Sequence, residues 1–140
     1  MNRILTFVCL LAATGCGGNG GEVVRADAFK ALAEAESAFG AKDYAKAAEA
    51  YTRAIEAGGL GGEVLADAHL HRGMARLETG STDGGAADLD MAEQGSALGP
   101  DYLAARGLLA LKHGDRTKAR EFYLEARRSD PRIAIPKELN

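Results

Sequence analysis

The chain has 140 residues, enough for one domain. Hydrophobic residues make up 46% and aromatics 6%, with no Trp, so a core must be filled largely by Ala and Leu. That composition suits close-packed helices better than a β-sandwich, and a formal charge of −3 argues against binding a phosphate backbone.

Arg3 gives a short positive start, and Ile4 to Ala13 forms an apolar run. At about 1.5 Å per residue it spans roughly half of a ~30 Å hydrocarbon core, the size of a signal-peptide core rather than a membrane span. The run ends in Leu11-Ala12-Ala13-Thr14-Gly15-Cys16. This segment resembles the bacterial lipobox, with Ala13 where that family usually has Leu. The resemblance implies that residues 1–15 are a signal peptide and that Cys16 is acylated as the new N-terminus, giving a lipoprotein. Cysteine usage agrees. Cys9 would be removed with the signal, leaving Cys16 as a lone thiol in an oxidising compartment unless lipid consumes it. Ordinary cleavage after Ala13-Thr14-Gly15 would cut the same bond and leave a soluble secreted protein.

Gly17-Gly18-Asn19-Gly20-Gly21 follows, and residues 16–25 read as a flexible tether. The stretch lacks the Lys-Ser/Thr of a phosphate loop. Gly17 follows Cys16 where an inner-membrane sorting Asp would stand. The expected location is the cell envelope, at the outer membrane facing the periplasm in a two-membrane bacterium, and otherwise membrane-bound or secreted.

The rest of the chain repeats. Arg72, Gly73, Leu77, Gly80, Leu89 and Ala92 recur 34 residues later as Arg106, Gly107, Leu111, Gly114, Tyr123 and Ala126. An earlier copy supplies Asp43, Tyr51 and Ala54, offset by 38 from Ser81, Leu89 and Ala92, the extra four residues falling in Gly58-Gly59-Leu60-Gly61-Gly62. A 34-residue helix–turn–helix period resembles the tetratricopeptide repeat. The signature positions of that family correspond to Ala47, Tyr51 and Ala54; to Gly73, Gly80 and Ala92; and to Gly107, Gly114, Ala119, Tyr123, Ala126 and Pro131. The second copy departs from the pattern, with Gly85 and Leu89 in place of Ala and an aromatic.

The resemblance implies an all-α fold, a short α-solenoid over residues 26–131. Three repeats fall at about 28–61, 66–99 and 100–133, and a tail occupies 132–140. Six helices are expected at about 26–40, 43–57, 63–79, 83–95, 101–113 and 116–129. Asp43, Ser81 and Asp115 stand at the inter-helix turns as N-caps. Ala47, Ala54, Ala119 and Ala126, spaced by seven, let backbones approach closely. Pro100 suits a helix start and Pro131 stops the last helix.

No catalytic constellation appears, and no cofactor or metal site is expected. His69 and His71 are two apart on a helix and point to different faces, and His113 ends another helix. Asp83, Asp88 and Asp90 read as a solvated helix face. The chain is therefore expected to be a binding module rather than an enzyme.

In repeats of this type the first helix of each pair lines a concave groove. The offsets map that groove onto Leu32, Glu36 and Phe39, onto Leu70, Met74 and Leu77, and onto Ala104, Leu108 and Leu111. Asp67, His71, Glu78, Asp101 and Lys112 form its polar rim. Relatives that grip a carboxylate terminus carry Lys and Asn here, and this chain does not. A mostly apolar stripe suits an extended segment or an amphipathic helix of a protein partner. The same residues could instead pack against neighbouring helices, and Arg132-Ile133-Ala134-Ile135-Pro136 could cover apolar surface where a capping helix is missing. By family analogy, the expected function is a lipid-anchored adaptor, of assembly or pilotin-like character. The alternative is a self-associating structural lipoprotein, and the last in order is an enzyme or metal-binding accessory.

Overall fold

A computed structural model describes residues 19–140. The predicted signal segment 1–15, Cys16, Gly17 and Gly18 lie outside the described residues. The chain forms six α-helices: α1 (Asn19–Gly40), α2 (Tyr44–Ala57), α3 (Gly62–Glu78), α4 (Thr82–Gln94), α5 (Pro100–Lys112) and α6 (Arg116–Ser129). A 3₁₀ turn, η1 (Lys137–Leu139), closes the tail. Helices pair as α1–α2, α3–α4 and α5–α6. The hairpins stack in order through α2 on α3 and α4 on α5, while α1, α3 and α5 adjoin along one side. This is the short all-helical repeat solenoid that the sequence predicts.

Five of the six helices fall within a residue of expectation. The exception is α1, which begins at Asn19, so the predicted tether over 16–25 is helical from its fourth residue onward. Gly20 and Gly21 each cost about 1 kcal/mol relative to Ala in a helix. They occupy the first turn, where Glu22 complements the N-terminal dipole and Val23 and Val24 continue the helix.

The three hairpin turns are built alike. Asp43 N–H donates to the Ala38 carbonyl, Ser81 N–H to Arg76 and Asp115 N–H to Ala110, at 2.8–3.0 Å. These six-residue closures put one residue in the left-handed region at each turn: Lys42 at φ 61°, Gly80 at 88° and Gly114 at 79°. The Asp43 and Asp115 carboxylates then accept from the Lys46 and Lys118 N–H groups. Ser81 occupies the same position but makes no side-chain cap bond, contrary to the sequence expectation. Lys42 is the one copy of the turn without Gly. A β-carbon in this conformation costs about 1–2 kcal/mol, partly offset by the freedom Gly adds to the unfolded chain. Lys42→Gly is therefore expected to raise stability by about 0.5–1 kcal/mol and the melting temperature by roughly 2–3 °C. An unchanged or lower thermal midpoint by circular dichroism would refute this account of the turn.

The core is a chain of three clusters joined by shared helices. The first sets Ala35, Ala47, Ala50, Tyr51 and Ala54 of α1 and α2 against Ala68 and Ala75 of α3. The second joins Leu70, Leu77, Leu89 and Ala92 to Tyr102 and Ala105 of α5. The third groups Ala104, Ala110, Ala119, Tyr123 and Ala126 with Leu139, and Ile133 and Ile135 pack against it. The tail thus covers the last hairpin where a further helix would otherwise stack. It is fastened by Arg116, whose guanidinium donates to the Glu138 carbonyl. Pro131 lies just past the end of α6.

Close approach within each hairpin follows from small residues at matching positions. Gly107 lies against the Tyr123 ring, so near that an added β-carbon would sit 2.8 Å from two ring carbons. In the second hairpin, Gly73 and Gly85 face each other, and Leu77 is fully buried in the space that Gly85 vacates. The departures of the second copy compensate one another. A smaller residue at 85 and Leu89 instead of an aromatic make room for Leu77, while its counterparts Phe39 and Leu111 remain half-buried.

Candidate binding groove

Azimuth on α3 divides the predicted stripe into two lines. Leu70 and Leu77, seven residues apart, turn inward and are buried, 4% and 0% exposed, in the second cluster. Asp67, His71, Met74 and Glu78 form the adjoining line, spaced by three and four, and are half-buried or exposed. Leu70 and Leu77 are therefore packing residues, as is Ala104. Leu32 is also nearly buried, yet it floors the groove.

Two hollows flank this line. The first, about 420 Å³, is walled by Phe29, Leu32 and Glu36 of α1, Tyr51 of α2, and Val64, Asp67 and His71 of α3. Behind its wall is an aromatic cluster. His71 stacks on Tyr51 with ring centroids 6.0 Å apart, and Phe39 meets both rings and Tyr44 edge-on. His71 Nδ1 lies 2.9 Å from the Asp67 carbonyl, to which it must donate, so Nε2 is left as the other polar atom of the ring. The second hollow, about 540 Å³, is lined by Glu78 of α3, Leu108, Leu111 and Lys112 of α5, Arg116, and Pro136 and Glu138 of the tail. Of the predicted rim, Asp67, His71, Glu78 and Lys112 line one hollow or the other. Asp101 lines neither.

Carboxylates set the charge of the first hollow, through Glu36 and Asp67, whereas the second mixes Glu78 and Glu138 with Lys112 and Arg116. Burial, then the nearby charges of Glu36 and Asp67, pushes the Tyr51 hydroxyl well above the usual phenol range. Burial, with Glu78 and Glu138, raises Tyr123 to about 12. Among the described residues, Glu36, Asp67 and Glu78 have no ion-pair partner within 4.0 Å.

The most concentrated charge lies elsewhere. Asp88, expected on a solvated face, is 2% exposed. It accepts from Arg72 at 2.6 and 2.9 Å, from Arg76 at 2.8 Å and from His69 Nδ1 at 3.0 Å. Arg72 also donates to the Thr52 hydroxyl at 3.3 Å, so one carboxylate ties α4 to α3 and, through Arg72, to α2. All of its partners are donors within the fold, so this cluster is a structural lock. Among the described residues, no group of three or more His, Cys, Asp or Glu side chains is arranged to hold a metal ion. None of their helices is long and apolar enough to cross a membrane.

Sequence reasoning missed Phe29, Tyr51 and Val64 as groove residues because its pattern followed only one stripe per helix. It missed the Arg116–Glu138 side of the second hollow because the tail folds back through a long-range contact. No protein-family model matches the chain, and neither does any curated protein or solved structure.

Proposed function

We propose that this is a tetratricopeptide-type binding module, held at a bacterial envelope membrane by acylated Cys16, and that it recruits a protein partner rather than catalysing a reaction. The observation that carries the reading is the inner line of α3. His71 and the unpaired carboxylates of Glu36 and Asp67 ring a hollow whose apolar wall is Phe29, Leu32 and Val64, and partly buried Met74 follows His71 along α3 towards Glu78 at the second hollow. Apolar contact supplies affinity and carboxylates select the partner. The segment that fits is extended or helical, with apolar residues flanked by Lys or Arg. The 34-residue period and the three like-built turns support the repeat assignment.

The test is capture by the full chain in its own envelope. A Glu36→Lys/Asp67→Lys variant, both residues exposed and outside the core, is expected to lose the partner by tenfold or more while keeping its helical signal. An unchanged set of captured proteins would remove the groove reading. Cys16→Ala is expected to shift the chain from the membrane to the soluble fraction, and continued membrane association would remove the anchor.

A further inference from the structure

Two helices bring matching stripes to the first hollow. Along α1 it is lined by Phe29, Leu32, Ala33 and Glu36, and along α3, at the same steps, by Val64, Asp67, Ala68 and His71. That spacing puts each set on one side of its helix. Each stripe carries one carboxylate among apolar neighbours, and Tyr51 of α2 completes the lining. Neither Glu36 nor Asp67 is in an ion pair among the described residues, and no Lys or Arg lines the hollow.

Tyr51 adds an independent sign. It is 2% exposed, yet among the described residues its hydroxyl makes no hydrogen bond. Every fully buried side-chain oxygen or nitrogen of those residues has a partner, so this oxygen reaches accessible space, and the opening that Tyr51 borders is the hollow. The charges of Glu36 and Asp67 both act on it. A phenol oxygen set in an apolar wall without a partner is a group that a ligand would satisfy, and it can accept an N–H. Two anionic groups and one neutral acceptor thus share a hollow whose other walls are apolar or aromatic. The complementary chemistry is a cation with several N–H donors on an apolar stem.

Arginine meets each of these demands. Its planar guanidinium presents five N–H donors, enough for two carboxylates and a phenol oxygen at once. It is less strongly hydrated than an ammonium, and it stacks on rings such as those of Phe29 and His71. We propose that the first hollow is the receptor for a single arginine side chain of the protein partner, held by Glu36, Asp67 and the Tyr51 hydroxyl, with its methylene stem against Leu32 and Val64. The proposal rests on the groove reading and names the residue that the groove selects. The second hollow has Lys112 and Arg116 in its walls, so the arginine is directed to the α1–α3 end.

The test titrates the full chain, in mild detergent, with three blocked heptapeptides in which Ser-Leu-Ser flanks a central arginine, lysine or norleucine on both sides. Binding is followed by NMR on the backbone amides. The arginine peptide is expected to give saturable shifts centred on Leu32, Glu36, Asp67 and His71. The lysine peptide is expected to bind several-fold more weakly, and the norleucine peptide at least about tenfold more weakly. Tyr51→Phe keeps the ring and deletes only the hydroxyl. It is expected to weaken the arginine peptide roughly three- to tenfold at an unchanged thermal midpoint, because that hydroxyl holds nothing in the fold. No saturable shift at these residues, norleucine or lysine binding as tightly as arginine, or indifference to Tyr51→Phe would each overturn the proposal. The groove reading is judged separately, by envelope capture with Glu36→Lys/Asp67→Lys. Capture lost in that variant while norleucine rivals arginine removes the arginine assignment alone, whereas unchanged capture removes the groove reading.

Discussion

Replacing Asp88 with Ala is expected to cost about 3–5 kcal/mol, a large share of the roughly 5–15 kcal/mol that holds a domain of this size. The magnitude comes from what is left behind. Arg72, Arg76 and His69 converge on this carboxylate, and the Arg72 and His69 side chains are 11% and 10% exposed. Without Asp88 two guanidinium groups stay partly desolvated with no counter-charge, and His69 loses its acceptor. The pair as a whole need not be worth this much, since burying charges is costly to begin with. Breaking one side is what is expensive. Asp90 gives the control. It is two residues away, its side chain is 66% exposed, and its one ion pair, to Arg106, is long at 3.7 Å. Asp90→Ala is expected to stay within about 0.5 kcal/mol of the parent. Urea unfolding followed by circular dichroism measures both, and equal midpoints for the two variants would rule out the lock.

The second large effect is expected at Gly85. A β-carbon there would sit 2.6 and 2.7 Å from two carbons of Leu77, which is fully buried and has nowhere to go, and 3.1 Å from the Gly73 carbonyl. Gly85→Val adds two further methyl groups and is expected to destabilise by about 3 kcal/mol. Its neighbour behaves oppositely. At Gly84 the nearest atom is the Ser81 hydroxyl, the end of an exposed side chain that caps nothing, followed by the flexible Arg76 stem. Gly84→Ala should therefore be neutral or stabilising, by up to the ~1 kcal/mol of helix propensity. Combining Gly85→Val with Leu77→Ala should recover part of the loss, because the two changes share one volume. Strict additivity would show that Leu77 and residue 85 do not compete for space.

Those two positions also show where the sequence was legible. The repeat period, the turns and the small residues at 47, 54, 119 and 126 follow from local rules, because each hairpin solves the same backbone problem. The compensation among Gly85, Leu77 and Leu89 looked like degeneracy, since volume exchange between helices leaves no periodic trace. Asp88 was misread for a related reason. It resembles Asp83 and Asp90 along the chain, and its partners lie 12 to 19 residues away on another helix. A clue was present, because His69, Arg72 and Arg76 fall on one stripe of α3. The groove was half legible. A stripe of residues three and four apart is wide enough to hold both Leu70 and Leu77, which turn inward, and His71 and Met74, which do not. Only the placement of α4 and α5 separates them.

The folded-back tail has one more consequence, for the size of any assembly. A stack of repeats uncovered at both ends can add copies head to tail without limit, the geometry of a fibre. Here Ile133, Ile135 and Leu139 already occupy the place of the next repeat. Among the described residues nothing covers the α1 end in the same way. Head-to-tail growth through the ends of this solenoid therefore lacks one of the two faces it needs, and an open fibre built that way is not expected.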